Sequence, residues 1–162
     1  ELLVRGEHVM KGYFKNEEAT NAVLDADGWL HTGDMCTQDE DGTLYIRGRC
    51  KTMILTGSGQ NIYPEEIEDK LNNMPLVLES LVLENDGKLY GLVVPDFETC
   101  EREGIDRPAL EAIMAENLKQ LNTQIAAYER LVSITIYPSE FEKTPKKSIK
   151  RYLYNVSKLG IE

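Results

Sequence analysis

Histidine and cysteine are scarce in this chain, and each scarcity closes off a class of function. The two histidines, His8 and His31, are isolated and in no metal-ligand spacing, so both read as structural or surface residues. Cys36, Cys50 and Cys100 are an odd number without a C-x-x-C pair. That argues against a disulfide framework or a zinc site and for free thiols in a reducing compartment. No Ser/His/Asp arrangement reads as a triad, and no metal site is expected. No apolar run approaches the roughly 18 residues a membrane span needs. Net positive charge is missing too: 18 Lys and Arg stand against 28 Asp and Glu, for a net of −10, which argues against general nucleic-acid binding.

What remains is the composition of a globular protein, 41% hydrophobic and 28% charged over 162 residues, enough for one ordinary domain or for part of one plus a small one. No leader is visible. The chain opens within what reads as a strand, Leu2 to Val4, where an earlier start would hide one. Asn16 is placed to cap a short helix running to Val23, with Glu17 and Glu18 at its positive end. Met35 to Gln38 and Thr43 to Arg47 read as a hairpin across Asp39-Glu40-Asp41-Gly42. This first part is rich in β signals and too short to close its own core.

Beyond Lys51 the pattern becomes α+β. Met53 to Leu55 reads as a strand, and a helix starts at Pro64 with Glu65 and Glu66 in its first turn and Ile67, Leu71 and Met74 at helical spacing. Strands are expected over Val77–Leu83 and Leu89–Val94, joined by Asn85-Asp86-Gly87. Phe97 to Asp106 reads as a polar connection. A long helix follows from Pro108, with Leu110, Ile113, Met114, Leu118, Leu121 and Ile125 on one face. Leu131 to Tyr137 reads as a third strand and Ile149 to Val156 as a final helix. Between them, residues 143–151 hold Lys143, Lys146, Lys147, Lys150 and Arg151 with no acid. A basic loop on an acidic chain suggests a local anion site, although a solvated lysine loop is the bland alternative.

Four ordered stretches carry a family resemblance: GYFKNEEAT at 12–20, DGWLHTGD at 27–34, GRCK with GSGQNIYPEEIE at 48–68, and EFEKTPKKSIKR at 140–151. Together they resemble the AMP-forming acyl-CoA synthetases of the adenylate-forming superfamily, most of all the long-chain fatty acid–CoA ligases, over nearly the whole chain. The resemblance implies that residues 1–48 are the β-rich tail of a large domain and that 49–162 form a small α+β lid, hinged at 49–51 on Lys51. It implies nucleotide-ribose contacts for Asp34 and Arg49. A carboxylate suits a vicinal diol because it is acceptor-only and offers two oxygens; a turn aspartate is the plainer alternative. Gly57, Ser58 and Gly59 fall where the family's loop meets the pantetheine arm of CoA, and a simple turn before a helix is an equal reading. The loop lacks the GK[ST] ending of a P-loop.

In the basic loop, Ser148 occupies the position of the family's catalytic lysine. Lys147, beside it, is the candidate replacement, with Lys146 in reserve. The expected substrates of the parent enzyme are ATP with Mg2+, a fatty acid and CoA, none held tightly by this segment. The expected partners are small molecules, not nucleic acid, and the expected location is the cytoplasm, with peripheral membrane contact left open. The family's phosphate loop and its adenine and acyl pockets lie upstream of Thr32-Gly33-Asp34, so the segment alone is expected to be inactive. Rival readings are an aryl-CoA ligase or luciferase-like enzyme, an adenylation domain loading a carrier protein, and a non-catalytic interaction module.

Overall fold

The computed structural model describes residues 1–57 and 59–160, and the chain divides into two units, Glu1–Met53 and Ile54–Glu162. In the first unit β1 (Leu3–Val4) pairs antiparallel with β2 (Leu30–His31), and between them lies the short helix α1 (Glu17–Asn21). Asn16 caps α1, its Oδ1 accepting from Ala19 N at 3.0 Å. β3 (Asp34–Gln38) and β4 (Leu44–Arg49) form an antiparallel hairpin with a bulge at Met35/Cys36. None of residues 1–53 is fully buried, so the ladders, more than a core, order this unit.

The second unit has a true core. After β5 (Ile54–Leu55) and β6 (Asn61–Ile62), helix α2 (Pro64–Asn72) leads into a three-stranded sheet. β7 (Val77–Asn85) and β8 (Lys88–Pro95) are antiparallel, joined at Asp86-Gly87, both with positive φ, 51° and 74°, the backbone that tight hairpins favour. β9 (Leu131–Ile136) then pairs parallel to β8, and α3 (Phe97–Glu103) and α4 (Arg107–Gln124) make the crossover.

The strand period of two sorts side chains onto the two faces of this sheet. Val82, Leu89, Val93 and Leu131 pack with Leu71 of α2 and with Leu110, Met114 and Leu121 of α4. Leu81, Leu83, Tyr90, Leu92 and Val94 face the other way, onto Phe141, Val156, Tyr137 and Tyr154. Leu71 and Leu121 have no exposed surface, and truncating either to alanine should cost about 2–5 kcal/mol. The unit is a small α+β domain. No helix among the described residues is long and apolar enough to cross a membrane.

Two expectations need correction. The stretch from Phe97 is not a polar connection but helix α3, capped by Asp96, whose carboxylate accepts from Thr99 N at 3.0 Å and Thr99 Oγ1 at 2.7 Å, and ended by Gly104 at φ 68°. Asp at the N-cap and Gly just past the end are the standard signals, outweighed in the sequence by the glutamates between them. The helix expected over Ile149–Val156 is absent. Ile149 is held extended by a bridge to Lys143, Arg151–Leu153 forms a 3₁₀ turn, and α5 (Val156–Leu159) starts only after Asn155, which caps it.

Candidate functional site

Asp34 and Arg49 are directly opposite each other in the β3–β4 ladder. Arg49 Nη1 donates to Asp34 Oδ1 at 2.6 Å. The approach depends on Gly33: at φ +73° its backbone disfavours other residues, and a Cβ there would lie 3.2 Å from Arg49 Nη2. The strand start is fixed on several sides. Thr32 Oγ1 donates to Leu2 O at 2.8 Å and accepts from Asp34 N at 3.1 Å. Cys50 N donates to Gly33 O at 2.8 Å, and Gly33 N donates to Glu1 Oε1 at 2.9 Å. Hydrogen bonds from His31 and Gly33 hold the Glu1 carboxyl below its ordinary pKa. Arg47, the other arginine of this strand, donates through Nε to Thr37 Oγ1 at 3.1 Å, so Arg49 is the one directed at Asp34.

Lys51 is exposed, in a turn where the Arg49 carbonyl accepts from Thr52 N at 3.2 Å, Met53 N at 3.1 Å and Thr52 Oγ1 at 3.1 Å. Gly57 and Gly59 lie in the β5–β6 connection, closed by Thr56 N donating to Gln60 O and Gly59 N to Thr56 O, both at 2.9 Å. Gly59 has φ +82°, and a Cβ on either glycine would meet nothing within 4 Å. Ser58 lies outside the described residues. Gly57 and Gly59 are therefore in an open turn, with β6 between them and the start of α2.

The basic loop is a hairpin. Lys143 bridges Ile149, Thr144 N donates to Ser148 O at 2.8 Å, Lys150 N donates to Glu142 O at 2.8 Å, and Lys147 N closes the turn on Thr144 O at 2.8 Å. Lys147 has φ 62°, the left-handed position that ends three-residue hairpin loops and that glycine usually fills. The structure sorts the five positive charges. Lys143 Nζ is 2.7 Å from Glu79 Oε2, and Lys150 Nζ is 3.1 Å from Glu142 Oε2; those hydrogen bonds raise both ammonium pKa values. Arg151 forms a fork with Glu68 and lies 3.6 Å from Glu65. Lys146 and Lys147, at the exposed tip, have no ion pair among the described residues.

The acids opposite this hairpin went unread in the sequence. Glu68 was legible in principle: it sits at i+4 from buried Pro64, between Ile67 and Leu71, and a carboxylate on the core side of a helix needs a cation. Two surface depressions among the described residues are lined by none of the candidate residues. One, of about 650 Å³, is lined from Lys11 to Asn21; the other, of about 320 Å³, lies between α4 and β9. Charge and hydrogen bonding, more than concavity, identify the candidate residues. No group of three or more His, Cys, Asp or Glu among the described residues could hold a metal ion.

Residues 51–156 match the family profile described as AMP-binding enzyme C-terminal domain, and this chain belongs to that family. It is 36% identical over 154 residues to the putative acyl-CoA synthetase YngI of Bacillus subtilis, covering 94% of this chain and 26% of that protein. It is 34% identical over 171 residues to the long-chain-fatty-acid–CoA ligase FadD15 of Mycobacterium tuberculosis, covering 93% and 28%. The crystal structure of the adenylation domain of a carboxylate reductase from Mycobacterium chelonae is similar with a TM-score of 0.81 at 25% identity, covering 94% of this chain and 25% of that one. The chain thus spans about a quarter of the length of its relatives. Their range includes a fatty-acid ligase and a reductase domain, so family membership carries no preference for a long-chain acid.

Proposed function

We propose that this chain is the lid-bearing part of an AMP-forming acid–thiol ligase, with a long-chain fatty acid as the favoured substrate class. The observation that carries the reading is the hairpin tip: of five basic side chains on an acidic protein, the two at the tip have no ion pair among the described residues. In the first half-reaction a carboxylate oxygen attacks the α-phosphorus of ATP, forming acyl-AMP and releasing pyrophosphate. The Lys147 ammonium offsets the negative charge that gathers there. In the second, the CoA sulfur attacks the acyl carbon, AMP leaves, and the thiol proton goes to solvent or a base.

A lysine useful in the first step crowds an anionic thiol donor in the second, so the lid turns on the joint at 49–51, about Lys51. Asp34 holds the ribose hydroxyls with Arg49 beside it, and the open space at Gly57 and Gly59 suits the pantetheine arm. Mg2+ accompanies the ATP phosphates, and no part in holding it is assigned to this chain.

Similarity to a carboxylate reductase domain supports a second reading, in which the acyl group passes to a carrier-protein thiol. The test is acid-dependent ATP–pyrophosphate exchange by the full-length protein with long-chain, aryl and short carboxylic acids, followed by addition of CoA. Exchange and thioester formation strongest with long-chain acids support the reading. Exchange without transfer to CoA supports the second, and no exchange with any acid refutes both.

A further inference from the structure

Glu68 is 6% exposed, and the hydrogen bonds its carboxylate accepts among the described residues come from Arg151, after the basic hairpin, and from the strand β7. Its Oε1 accepts from Val82 N at 2.6 Å and from Arg151 Nη1 at 2.8 Å, and its Oε2 accepts from Arg151 Nη2. Burial pushes the Glu68 carboxyl above its ordinary pKa, while the guanidinium and the Val82 N–H pull against that rise. A two-pronged Arg–carboxylate contact of this kind fixes direction as well as distance. Arg151 directly follows Ile149 and Lys150, the returning arm of the hairpin, and Glu68 is on α2. The pair therefore ties the returning arm to α2.

The outgoing arm has its own tie. Glu79 of β7 accepts from Phe141 N at 3.0 Å through Oε1 and holds Lys143 through Oε2 at 2.7 Å. Glu142 N donates to Tyr154 Oη at 2.8 Å, and the rings of Tyr137, Phe141 and Tyr154 pack with centroids 5.1–5.6 Å apart. The base is thus clamped on both sides, by one carboxylate from α2 and one from β7, and the tip bearing Lys146 and Lys147 projects from it.

We propose that Glu68 and Glu79 are positioning residues that clamp the hairpin base through Arg151 and Lys143, so that the tip lysine is pre-aimed for adenylation. The proposal rests on the reading of Lys147 as the adenylation cation. It gives the paired cations of the loop a different task from the unpaired ones: they orient, and the tip contacts substrate. Preorganisation of this sort saves the entropy of fixing a long side chain during the reaction.

The test uses the full-length protein with Glu68→Gln, Glu79→Gln and, as a charge-preserving variant that loses the fork, Arg151→Lys. Hydrogen–deuterium exchange is read at 142–150 and, as reference, in β8. The clamp predicts exchange faster by about 10-fold or more at the hairpin with β8 unchanged, and an ATP–pyrophosphate exchange kcat lowered by about 10-fold with KM for ATP within about twofold. The kinetic effect of Glu68→Gln should vanish in a Lys147→Ala background. Equal acceleration at the hairpin and β8, an unaltered hairpin, or additive losses with Lys147→Ala would overturn the proposal, since each describes stability without aim. If Lys147→Ala alone leaves exchange of pyrophosphate normal, the lysine reading fails, and the hairpin-against-β8 comparison still decides whether the clamp exists.

Discussion

Arg49 reaches Asp34 straight across the β3–β4 ladder, Nη1 to Oδ1 at 2.6 Å, and Oδ2 has no hydrogen-bond partner among the described residues. A carboxylate with one oxygen engaged and one open is arranged to accept a hydroxyl without first losing its cation. In the full-length protein Asp34→Ala should raise KM for ATP by about 10–100-fold, the scale of hydrogen bonds to a charged group. Thermal stability should barely change, since the two side chains are 30% and 57% exposed and such pairs contribute about 0–1 kcal/mol. Steady-state kinetics and a melting curve check both halves. A large drop in melting temperature with unchanged KM would make the pair structural.

Gly33→Ala separates the backbone from the carboxylate. Its φ of +73° and the 3.2 Å approach to Arg49 Nη2 predict a loss of about 1–2 kcal/mol together with weakened ATP binding. Gly42→Ala is the control: its φ is +87°, but the nearest atom to an added Cβ is Gln38 Nε2 at 3.8 Å. That variant should lose similar stability and keep its nucleotide affinity.

Lys51→Pro tests the joint. Proline fixes φ near −65°, and among the described residues no backbone hydrogen bond from Lys51 N closes the turn, whose donors are Thr52 and Met53. CoA-dependent thioester formation should fall far more than ATP–pyrophosphate exchange. Equal losses in both would remove Lys51 from the hinge.

The pH dependence of folding has a marker in Asp96. Hydrogen bonds from Thr99 N and Thr99 Oγ1 hold its pKa below the ordinary value. A depressed carboxyl contributes stability that is present above its unfolded pKa and lost as pH falls through the folded one. Melting temperature measured from about pH 5 down to about pH 3 should therefore fall less steeply in Asp96→Asn, which keeps a capping oxygen but cannot titrate. Identical slopes would show that the Asp96 cap does not carry this term.

Local signals made much of this fold readable. Pro64 with two glutamates marked the start of α2, Asp86-Gly87 the central hairpin, and the apolar face from Leu110 the long helix, because each feature is decided by neighbours in sequence. Helix α3 was lost where its caps were outweighed by surrounding glutamates. The final helix was wrongly expected because apolar spacing from Ile149 says nothing of the bridge that holds Ile149 extended. The five positive charges of the hairpin were visible, but their division into paired and unpaired was not. Glu79 meets Lys143, and Glu68 meets Arg151, only because β7 and α2 pack against the hairpin and the chain after it, at separations of up to 83 residues.

The structure places Lys147 at the left-handed position of an exposed tip and occupies Lys150 with Glu142, which sharpens the central test. Acid-dependent ATP–pyrophosphate exchange by the full-length protein should be slower by about 10²–10³-fold in Lys147→Ala, the scale of one preorganised donor, with CoA attack on supplied acyl-adenylate nearly unchanged. Normal exchange in Lys147→Ala, with the loss appearing instead in Lys146→Ala or Lys150→Ala, would contradict the assignment.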